Sequence, residues 1–478
     1  METRNWIGGE WARPSAGSQE ARNPSDLSET IGVVHLSGRA DALQAVEAAK
    51  LAQPRWAAMT GAARGECLYR MAGLLELHSA ELAALASREM GKPIAEMRGE
   101  VTRGVNLLRY YAGEGVRSNG QLIPSAMPNV KQYSMRVPLG VVAIVTPWNF
   151  PVAIPIWKIA PALVCGNAVV WKPAENGCLT AARMAEIFAG AGLPPGTMNL
   201  VIGRGSAIGS ALLEEAPIDA VSFTGSTSTG LRIGAASAGR NLKYQTEMGG
   251  KNAAVVLRDA DLDLAVAAVV SGAFRSAGQK CTATSRIIVE AAVYDEFAER
   301  IAAATALLRV ANAMDEQAYL GPVASKEQFN TVMQYVELAK AEARTVALAS
   351  DREGDHDGYY IRPLVVEGVA ADHALVQEEV FGPLAVLLRA DDAEDAIRLT
   401  NETVFGLSAS VFTRDLSNAF RFLEEAEAGM VRVNQETGGV EYQAPFGGMK
   451  GSSSHAREQG QAALDFYSHI KTCAIQYR

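Results

Sequence analysis

The sequence of 478 residues has no unbroken apolar segment long enough to cross a membrane, and it contains little cysteine. Its longest apolar stretch, residues 141–170, is interrupted by four prolines, whereas a membrane-spanning helix needs about 20 consecutive apolar residues. Residues 1–10 lack the basic and then apolar order of a signal peptide. The five cysteines are scattered and odd in number, which is typical of free thiols in a reducing compartment. We therefore expect a cytoplasmic protein without a membrane partner.

Positive charge is also scarce, because 44 lysines and arginines are outnumbered by 53 aspartates and glutamates. The formal net charge of −9 argues against the basic face that a nucleic-acid partner requires. No GxxxxGKS/T loop is present, and the six histidines are too scattered to give a metal-ligand spacing. The sequence thus argues against a P-loop nucleotidase, a metal centre and a nucleic-acid-binding protein.

Short apolar segments alternate with helical patterns through most of the chain, which is typical of parallel strands joined by crossover helices. The first set of predicted strands lies at 140–145, 168–171, 199–202 and 220–223. The second set lies at 253–257, 286–290, 364–367, 384–389, 408–412 and 430–433. Since 478 residues are too many for one hydrophobic core, we expect two doubly wound α/β domains.

Helices are predicted before and between these strands, and two exposed strands are predicted outside them. Apolar spacing predicts helices over 39–57, 61–90, 94–112, 153–164, 179–189, 206–214, 262–274 and 294–307. Alternating residues predict strands over 130–137 and 466–475. The second of these ends the sequence, so we expect it to pair with another element or another subunit.

Three residues are candidates for chemistry. Cys281 lies in a polar turn between a predicted helix and strand, where Lys280 is expected to favour the thiolate. Glu247 precedes two glycines and an apolar strand, a position from which a carboxylate can act as a general base. Asn149 follows the strand 140–145, at a sheet edge where its amide can donate to an oxyanion. Taken singly, each residue is better explained as an ordinary loop or surface position.

Other residues suggest a dinucleotide. Lys172 and Glu175 follow a strand, where they can bond ribose hydroxyls, and the carboxylate favours NAD over NADP because it repels a 2′-phosphate. The alternative is that Lys172 and Glu175 form a solvated charge pair with no role in cofactor binding. The glycine-rich segment 203–209 resembles the dinucleotide fingerprint, but its last spacing is one residue too long. The segment 225–230 begins a predicted helix with small residues, and the N-terminus of such a helix suits a phosphate.

Seven segments together resemble the aldehyde dehydrogenase superfamily, in the family's order and over nearly the whole chain. They are PWNFP at 147–151, KPAE at 172–175, FTGST at 223–227, EMGGKN at 247–252, GQKCTATSR at 278–286, EEVFGP at 378–383 and PFGGMKGS at 445–452. One such motif is weak, but seven in order are specific. The resemblance implies NAD(P)-dependent oxidation of an aldehyde to a carboxylic acid through a cysteine thiohemiacetal and a thioester.

The resemblance also implies an architecture. A Rossmann-like cofactor domain is expected over 1–122 and 139–246, and a catalytic domain over 247–455. A small β domain over 123–138 and 456–478 is expected to form a homodimer or homotetramer.

Site roles follow from the same resemblance. Cys281 matches the nucleophile, Asn149 and the N–H of Cys281 match the oxyanion hole, and Glu247 matches the base that activates water. The family's cofactor-binding positions fall on Thr146, Trp148, Lys172, Glu175, Gly205, Gly225, Ser226, Glu379 and Phe381.

Within the family, GQKCTATSR at 278–286 and SSSHAREQG at 452–460 most resemble 2-oxoglutarate (α-ketoglutaric) semialdehyde dehydrogenases. Trp157, the candidate substrate-binding residue, lies where succinic semialdehyde dehydrogenases often carry a carboxylate-binding arginine. This aromatic residue suits apolar aldehydes equally well, so a broad-range aliphatic or aromatic aldehyde dehydrogenase is the alternative. Lys280, Arg103 and Arg109 remain as cationic candidates for a substrate carboxylate.

Two other classes share the resemblance. An acylating dehydrogenase would pass the thioester to coenzyme A, but such relatives usually lack the base that Glu247 provides. A non-catalytic, crystallin-like protein would commonly have lost the cysteine or the cofactor positions, and this sequence retains them.

Overall fold

The computed structural model describes residues 1–14, 16–117, 119–350 and 357–478. Its first sheet has the order β11-β10-β7-β8-β9-β1-β2, in which β7 to β11 run parallel and the edge strands β1 and β2 run antiparallel. The strands are β1 Asn5–Ile7, β2 Glu10–Ala12, β7 Val141–Val145, β8 Ala168–Lys172, β9 Met198–Leu200, β10 Ala220–Thr224 and β11 Lys243–Glu247. Strands β8 and β10 are buried throughout, as expected for parallel strands covered on both faces. The four strands predicted for this half are confirmed.

The second sheet has the order β14-β15-β16-β13-β12-β18-β19, and only its edge strand β14 is antiparallel to its neighbour. Its strands are β12 Asn252–Val256, β13 Thr284–Glu290, β14 Arg344–Leu348, β15 Leu364–Glu367, β16 Leu384–Ala390, β18 Ser408–Phe412 and β19 Met430–Val433. A short pair, β17 Phe405–Gly406 and β20 Met449–Lys450, lies beside it. All six strands predicted for the second half are confirmed, and each sheet has its own apolar core.

Two antiparallel sheets are separate from the two large sheets. Strand β21 Ser468–Gln476 pairs with β6 Val130–Pro138 along its whole length, and β5 Gly120–Ile123 pairs with the other edge of β6. A hairpin joins β3 Ser18–Asn23 and β4 Asp26–His35. The expected pairing of the terminal strand is therefore confirmed.

Helices cover the sheets, and two of them correct the sequence prediction. The segment 61–90 forms two helices rather than one, because His78 leaves the helical conformation with φ −100° and ψ 13°. The segment 206–214 divides into a short α-helix and a π-helical turn over Ala211–Glu215. The helices are α1 Arg39–Ala58, α2 Gly61–Leu77, α3 Ser79–Met90, α4 Ile94–Glu114, α5 Ala153–Val164, α6 Cys178–Ala189, α7 Gly205–Ser210, α8 Thr227–Gly239, α9 Leu262–Phe274, α10 Tyr294–Ala306, α11 Lys326–Glu342, α12 Ala374–Gln377, α13 Ala393–Asn401, α14 Leu416–Glu425 and α15 Ala462–Phe466.

The chain passes from the first sheet to the second over four residues. Glu247 ends β11, and Asn252 begins β12. The carboxyl ends of β7 and β10 lie in the same sheet as that of β11, so the loops that follow them meet at this crossing. Among the described residues, no helix combines the length and hydropathy needed to span a membrane.

Candidate active site

A cleft of about 210 Å³ opens where the two sheets meet. Its walls come from the loops after β7 and β10, from the crossing segment, and from the loops before β13 and β16. The lining residues are Pro147, Trp148, Asn149, Ile154, Thr224, Gly225, Ser226, Met248, Gly249, Cys281, Gln328, Glu379 and Phe381. Seven of the residues singled out in the sequence therefore share one cleft: Trp148, Asn149, Gly225, Ser226, Cys281, Glu379 and Phe381.

Backbone conformation positions Cys281. The three residues Ser276, Ala277 and Gly278 all have positive φ, of 55°, 53° and 69°, a conformation that costs free energy for the two that carry a Cβ. This left-handed turn follows helix α9 and redirects the chain into the cleft. Beyond it, the carbonyl oxygen of Cys281 accepts a 2.8 Å hydrogen bond from Nδ2 of Asn252. The thiol is thus held between a strained turn and the start of β12.

Asn149 is fixed beside the same loop. Its side chain is buried, and its Nδ2 donates to the carbonyl oxygen of Gln279 at 2.9 Å. Its own carbonyl accepts from Nζ of Lys92 at 2.7 Å, and Lys92 forms a buried ion pair with Glu100. A carboxamide nitrogen carries two hydrogens, so the second hydrogen of Asn149 Nδ2 remains for an oxyanion in the cleft.

Glu247 lies behind the cleft rather than in its wall. Only 1% of the residue is exposed, Oε2 accepts a hydrogen bond from the Ser453 hydroxyl, and Oε1 is buried without a hydrogen-bond partner among the described residues. Burial and the neighbouring Glu458 carboxylate raise the pKa of Glu247 well above its ordinary value. The Glu247 carboxyl therefore keeps its proton to higher pH than an ordinary glutamate does.

The buried polar cluster around Glu247 was not anticipated in the sequence. Lys158 forms an ion pair with Glu458 and donates to the Ser222 hydroxyl at 3.0 Å, and the Tyr467 hydroxyl donates to Ser222 at 3.0 Å. One signal was available, because Lys158 is the one charged residue of the otherwise apolar helix α5. A charge buried in this way needs a partner, but Glu458 is 300 positions away in the chain.

The electrostatics of Cys281 differ from the sequence prediction. Burial raises the pKa of the Cys281 thiol, and the carboxylates of Glu379 and Glu247 raise it further, while the backbone N–H of Thr282 lowers it. Lys280 was expected to favour the thiolate, but its ammonium points toward the Ser271 carbonyl at 3.4 Å. The expectation for Lys280 was wrong, since adjacent residues in this turn direct their side chains to different sides.

The remaining cleft residues fit a dinucleotide. Gly225 and Ser226 lie at the N-terminus of α8, whose free N–H groups and dipole suit a phosphate. Burial raises the pKa of Glu379 to about 7, and this carboxylate accepts from the N–H of Gly250 at 3.1 Å. Phe381 adopts φ 54°, and its ring meets Trp148 edge-on at 5.6 Å. An anion-binding turn, a carboxylate and an aromatic pair thus face one space.

Besides Glu247, five predicted residues do not line this cleft. Thr146 accepts from the indole N–H of Trp171, and the ring of Trp157 lies 5.4 Å from that of Phe446. The others lie together beyond the ends of β8 and β9. Lys172 is buried and donates to the Pro173 carbonyl at 2.8 Å, Glu175 lies 3.9 Å from Nε of Arg204, and Gly205 begins α7 next to Arg204.

Comparison with known proteins agrees with this geometry. The model of the aldehyde dehydrogenase family matches residues 11–473. The chain therefore belongs to the aldehyde dehydrogenase family and is an oxidoreductase that acts on aldehydes.

Within the family, the chain is 46% identical over 476 residues to the α-ketoglutaric semialdehyde dehydrogenase of Bacillus subtilis, covering 99% of this chain and 98% of the relative. It is 38% identical over 476 residues to the 2,5-dioxopentanoate dehydrogenase of Saccharolobus solfataricus, with 99% of both chains covered. The crystal structure of betaine aldehyde dehydrogenase from Staphylococcus aureus in complex with NAD⁺ superposes with a TM-score of 0.96 at 33% identity, over 99% of this chain and 95% of that one. These findings confirm the predicted fold and the resemblance to the semialdehyde group.

The contacts of Glu247 predict opposite effects of two substitutions on the pH dependence of kcat. Glu458→Gln removes a negative neighbour and should lower the pKa of Glu247, which moves the rising limb of the profile down by about one pH unit. Ser453→Ala removes a donor to the carboxylate and should move the limb up by a similar amount. Steady-state rates measured across pH give the shift.

Ser454→Ala is the matched control, because that hydroxyl accepts from the N–H of Thr246 and does not bond Glu247. Shifts of the same sign in Glu458→Gln and Ser453→Ala would contradict the electrostatic account of Glu247.

Proposed function

We propose that this chain oxidises 2-oxoglutarate semialdehyde, which is 2,5-dioxopentanoate, to 2-oxoglutarate, with NAD as the preferred cofactor and Cys281 as the nucleophile. The observation that supports it most directly is that Cys281 and Asn149 share one cleft with the residues suited to a dinucleotide. The substrate follows from likeness to two relatives named for the same compound.

The first step joins the sulfur of Cys281 to the aldehyde carbon, and the thiol releases its proton to solvent water as the bond forms. The carbonyl oxygen becomes an oxyanion, for which Nδ2 of Asn149 and the N–H of Cys281 are the donors. Neither the second amide hydrogen of Asn149 nor the N–H of Cys281 is engaged by a described residue. Donors held in advance in this way typically contribute about 100- to 1,000-fold in rate.

When bound, NAD supplies the acceptor for the hydride that leaves the thiohemiacetal carbon. The carbon is then a thioester on Cys281. Gly225 and Ser226 would hold the phosphates, and the carboxylate of Glu379 would hold a ribose hydroxyl. The aromatic rings of Trp148 and Phe381 exclude water from the site of the transfer, since both line the cleft.

Hydrolysis completes the reaction. The unpartnered Oε1 of Glu247 takes a proton from water, and the oxygen attacks the thioester carbon. The carbon–sulfur bond breaks and the acid leaves. The proton that Glu247 took from water passes to the sulfur, so Cys281 recovers its thiol and Glu247 its carboxylate. Because the pKa of Glu247 is raised, this carboxyl is a stronger base than an ordinary glutamate once it has lost its proton.

A broad-range aldehyde dehydrogenase is the second candidate. The observation that favours it is the contact between Trp157 and Phe446, two aromatic rings with centroids 5.4 Å apart. This aromatic pair offers no charge to a substrate carboxylate.

The division of labour between Cys281 and Glu247 predicts a pre-steady-state burst. Glu247→Gln retains the nucleophile but loses the base, so the variant should form about one equivalent of reduced cofactor per site and then turn over 100- to 10,000-fold more slowly, about the contribution of a general base. Stopped-flow absorbance of the reduced cofactor measures both phases. Cys281→Ala should show neither burst nor turnover, and a Glu247→Gln enzyme with normal steady-state turnover would refute the role of Glu247.

Cofactor preference depends on Glu175. Its carboxylate repels a 2′-phosphate, so kcat/KM should be higher with NAD than with NADP. Glu175→Gln leaves Arg204 unpaired at the same place and should raise the NADP-to-NAD ratio of kcat/KM by about tenfold or more. Arg204→Gln is the reciprocal control and should lower that ratio. A wild-type enzyme that favours NADP would overturn the assignment.

We further infer a homodimer or homotetramer formed through the sheet β21-β6-β5. Large apolar side chains are exposed on its outer strands, with Leu122 79%, Ile470 72% and Ile475 54% exposed, and β21 has a free edge. This interpretation extends the domain division predicted above, in which 123–138 and 456–478 form the oligomerisation domain. The cytoplasmic location stays a prediction.

The oligomer is tested by light scattering of the purified protein. The wild type should elute at two or four times the chain mass of 50.7 kDa, and Ile470→Lys with Ile475→Lys should shift it toward the monomer. A monomeric wild type would contradict the proposal.

A further inference from the structure

A second, larger cavity of about 660 Å³ lies on the other side of the nucleophile loop. Two of its lining residues are Phe150 and Lys280. Phe150 directly follows Asn149 in the chain, and Lys280 directly precedes Cys281. The two cavities therefore share the segments that carry the oxyanion donor and the nucleophile. The second cavity therefore lies next to the segment that carries Cys281 and is lined by none of the residues suited to a dinucleotide.

The cavity wall carries several charges, most of which already have partners. Lys92 and Glu100 pair with each other at 2.6 Å. Glu96 accepts from both the N–H and the hydroxyl of Ser276, at 3.1 and 2.6 Å. Arg275 stacks on the ring of Tyr319 at 4.9 Å. These groups hold the wall in place.

Lys280 and Glu436 offset each other. The Lys280 ammonium makes a single long contact, 3.4 Å to the Ser271 carbonyl, and Oε2 of Glu436 is buried without a hydrogen-bond partner among the described residues. The carboxylate of Glu436 is the largest favourable charge acting on Lys280. Lys280 thus contributes little net charge to the cavity.

Arg103 is different. It extends from helix α4, and its Nη2 donates to the Val440 carbonyl and, at 3.0 Å, to Oε1 of Gln459. Its Nη1 has no hydrogen-bond partner, and no carboxylate lies within 4.0 Å of the guanidinium, among the residues that the structure describes. The other exposed carboxylate in the wall, Glu441, bonds Gln443. Neutral amide groups hold the Arg103 guanidinium, and its charge is left for a ligand.

We propose that Arg103 binds the distal carboxylate of an anionic semialdehyde in this cavity while the aldehyde carbon lies at Cys281. The proposal rests on the function proposed above and adds the residue that selects the substrate. Trp157 has no charge to offer, so the carboxylate is recognised from the wall formed by α4. Guanidinium and carboxylate form charge-assisted hydrogen bonds of the strong class.

The test compares Arg103→Gln with Arg109→Gln. Arg109 lies on the same helix but is exposed and pairs with Glu76, so its variant controls for loss of one arginine from α4. For each enzyme, kcat/KM is measured with 2-oxoglutarate semialdehyde and with pentanal, a neutral aldehyde of the same chain length. Arg103→Gln should lower the ratio of the two efficiencies by about 10- to 100-fold, mainly through KM, and Arg109→Gln should keep the wild-type ratio.

A binding measurement gives a second readout. Glutarate, which carries the carboxylate but has no aldehyde, should inhibit the wild type competitively and should lose at least tenfold in affinity with Arg103→Gln. If Arg103→Gln does not fold, Arg103→Lys provides the test, since lysine keeps the charge but not the planar guanidinium. For Arg103→Lys, the ratio of kcat/KM with the semialdehyde to kcat/KM with pentanal should fall at least threefold.

The outcomes separate the two proposals. Suppose that the wild type oxidises both aldehydes, and that the Arg103 variants lower both kcat/KM values equally and keep the affinity for glutarate. That outcome would overturn the role of Arg103 but not the proposed function. A wild type that oxidises neither aldehyde would overturn the proposed function and this inference with it.

Discussion

The active site depends on Asn252, the first residue of the second sheet. Its Nδ2 donates to the carbonyl oxygens of Cys281 and Ala283, at 2.8 and 2.9 Å, and its Oδ1 accepts from the N–H of Ser408 at 3.0 Å. A single buried carboxamide thereby joins the nucleophile loop to β12 and β18. Buried amide groups of this kind lose much of their stabilising effect if one partner is removed. The position of the thiol is consequently set by the framework of the second sheet rather than by contacts of the thiol itself.

The crossing segment links this framework to the first sheet. Glu247 ends the last strand of the first sheet, and Asn252 begins the second, so the proposed base and the residue that holds the proposed nucleophile are separated by four residues. Gly250 lies between them, where a Cβ would approach the Cys281 carbonyl at 2.7 Å. The chain can only cross here with a residue that has no side chain. The chemistry therefore occupies the boundary between two sheets, while each sheet keeps its own apolar core.

Much of the fold could be predicted from the sequence, because strands buried on both faces are continuous apolar runs. Val141–Val145 and Leu384–Ala390 are of this kind, and both were predicted nearly to the residue. Strands that were missed are polar or lie at edges, such as Ser18–Asn23 and Lys243–Glu247, whose residues carry no apolar run. The helix break at His78 was missed because apolar spacing continues across it.

Seven of the candidate site residues, all predicted from motifs, line one cleft. The contacts that were not predicted are ones that short motifs do not encode. The ion pair of Lys158 with Glu458 joins positions 300 apart, and no local pattern connects them. The direction of the Lys280 side chain depends on the positive φ values before it, which proximity in the sequence does not reveal. The placement of Glu247 behind the cleft likewise depends on how β11 packs, rather than on the residues around it.

Burial and the carboxylates of Glu379 and Glu247 raise the pKa of the Cys281 thiol. Peroxides and other electrophilic oxidants react with thiolates far faster than with thiols. The environment that raises this pKa therefore also slows the oxidation of Cys281 to a sulfenic acid.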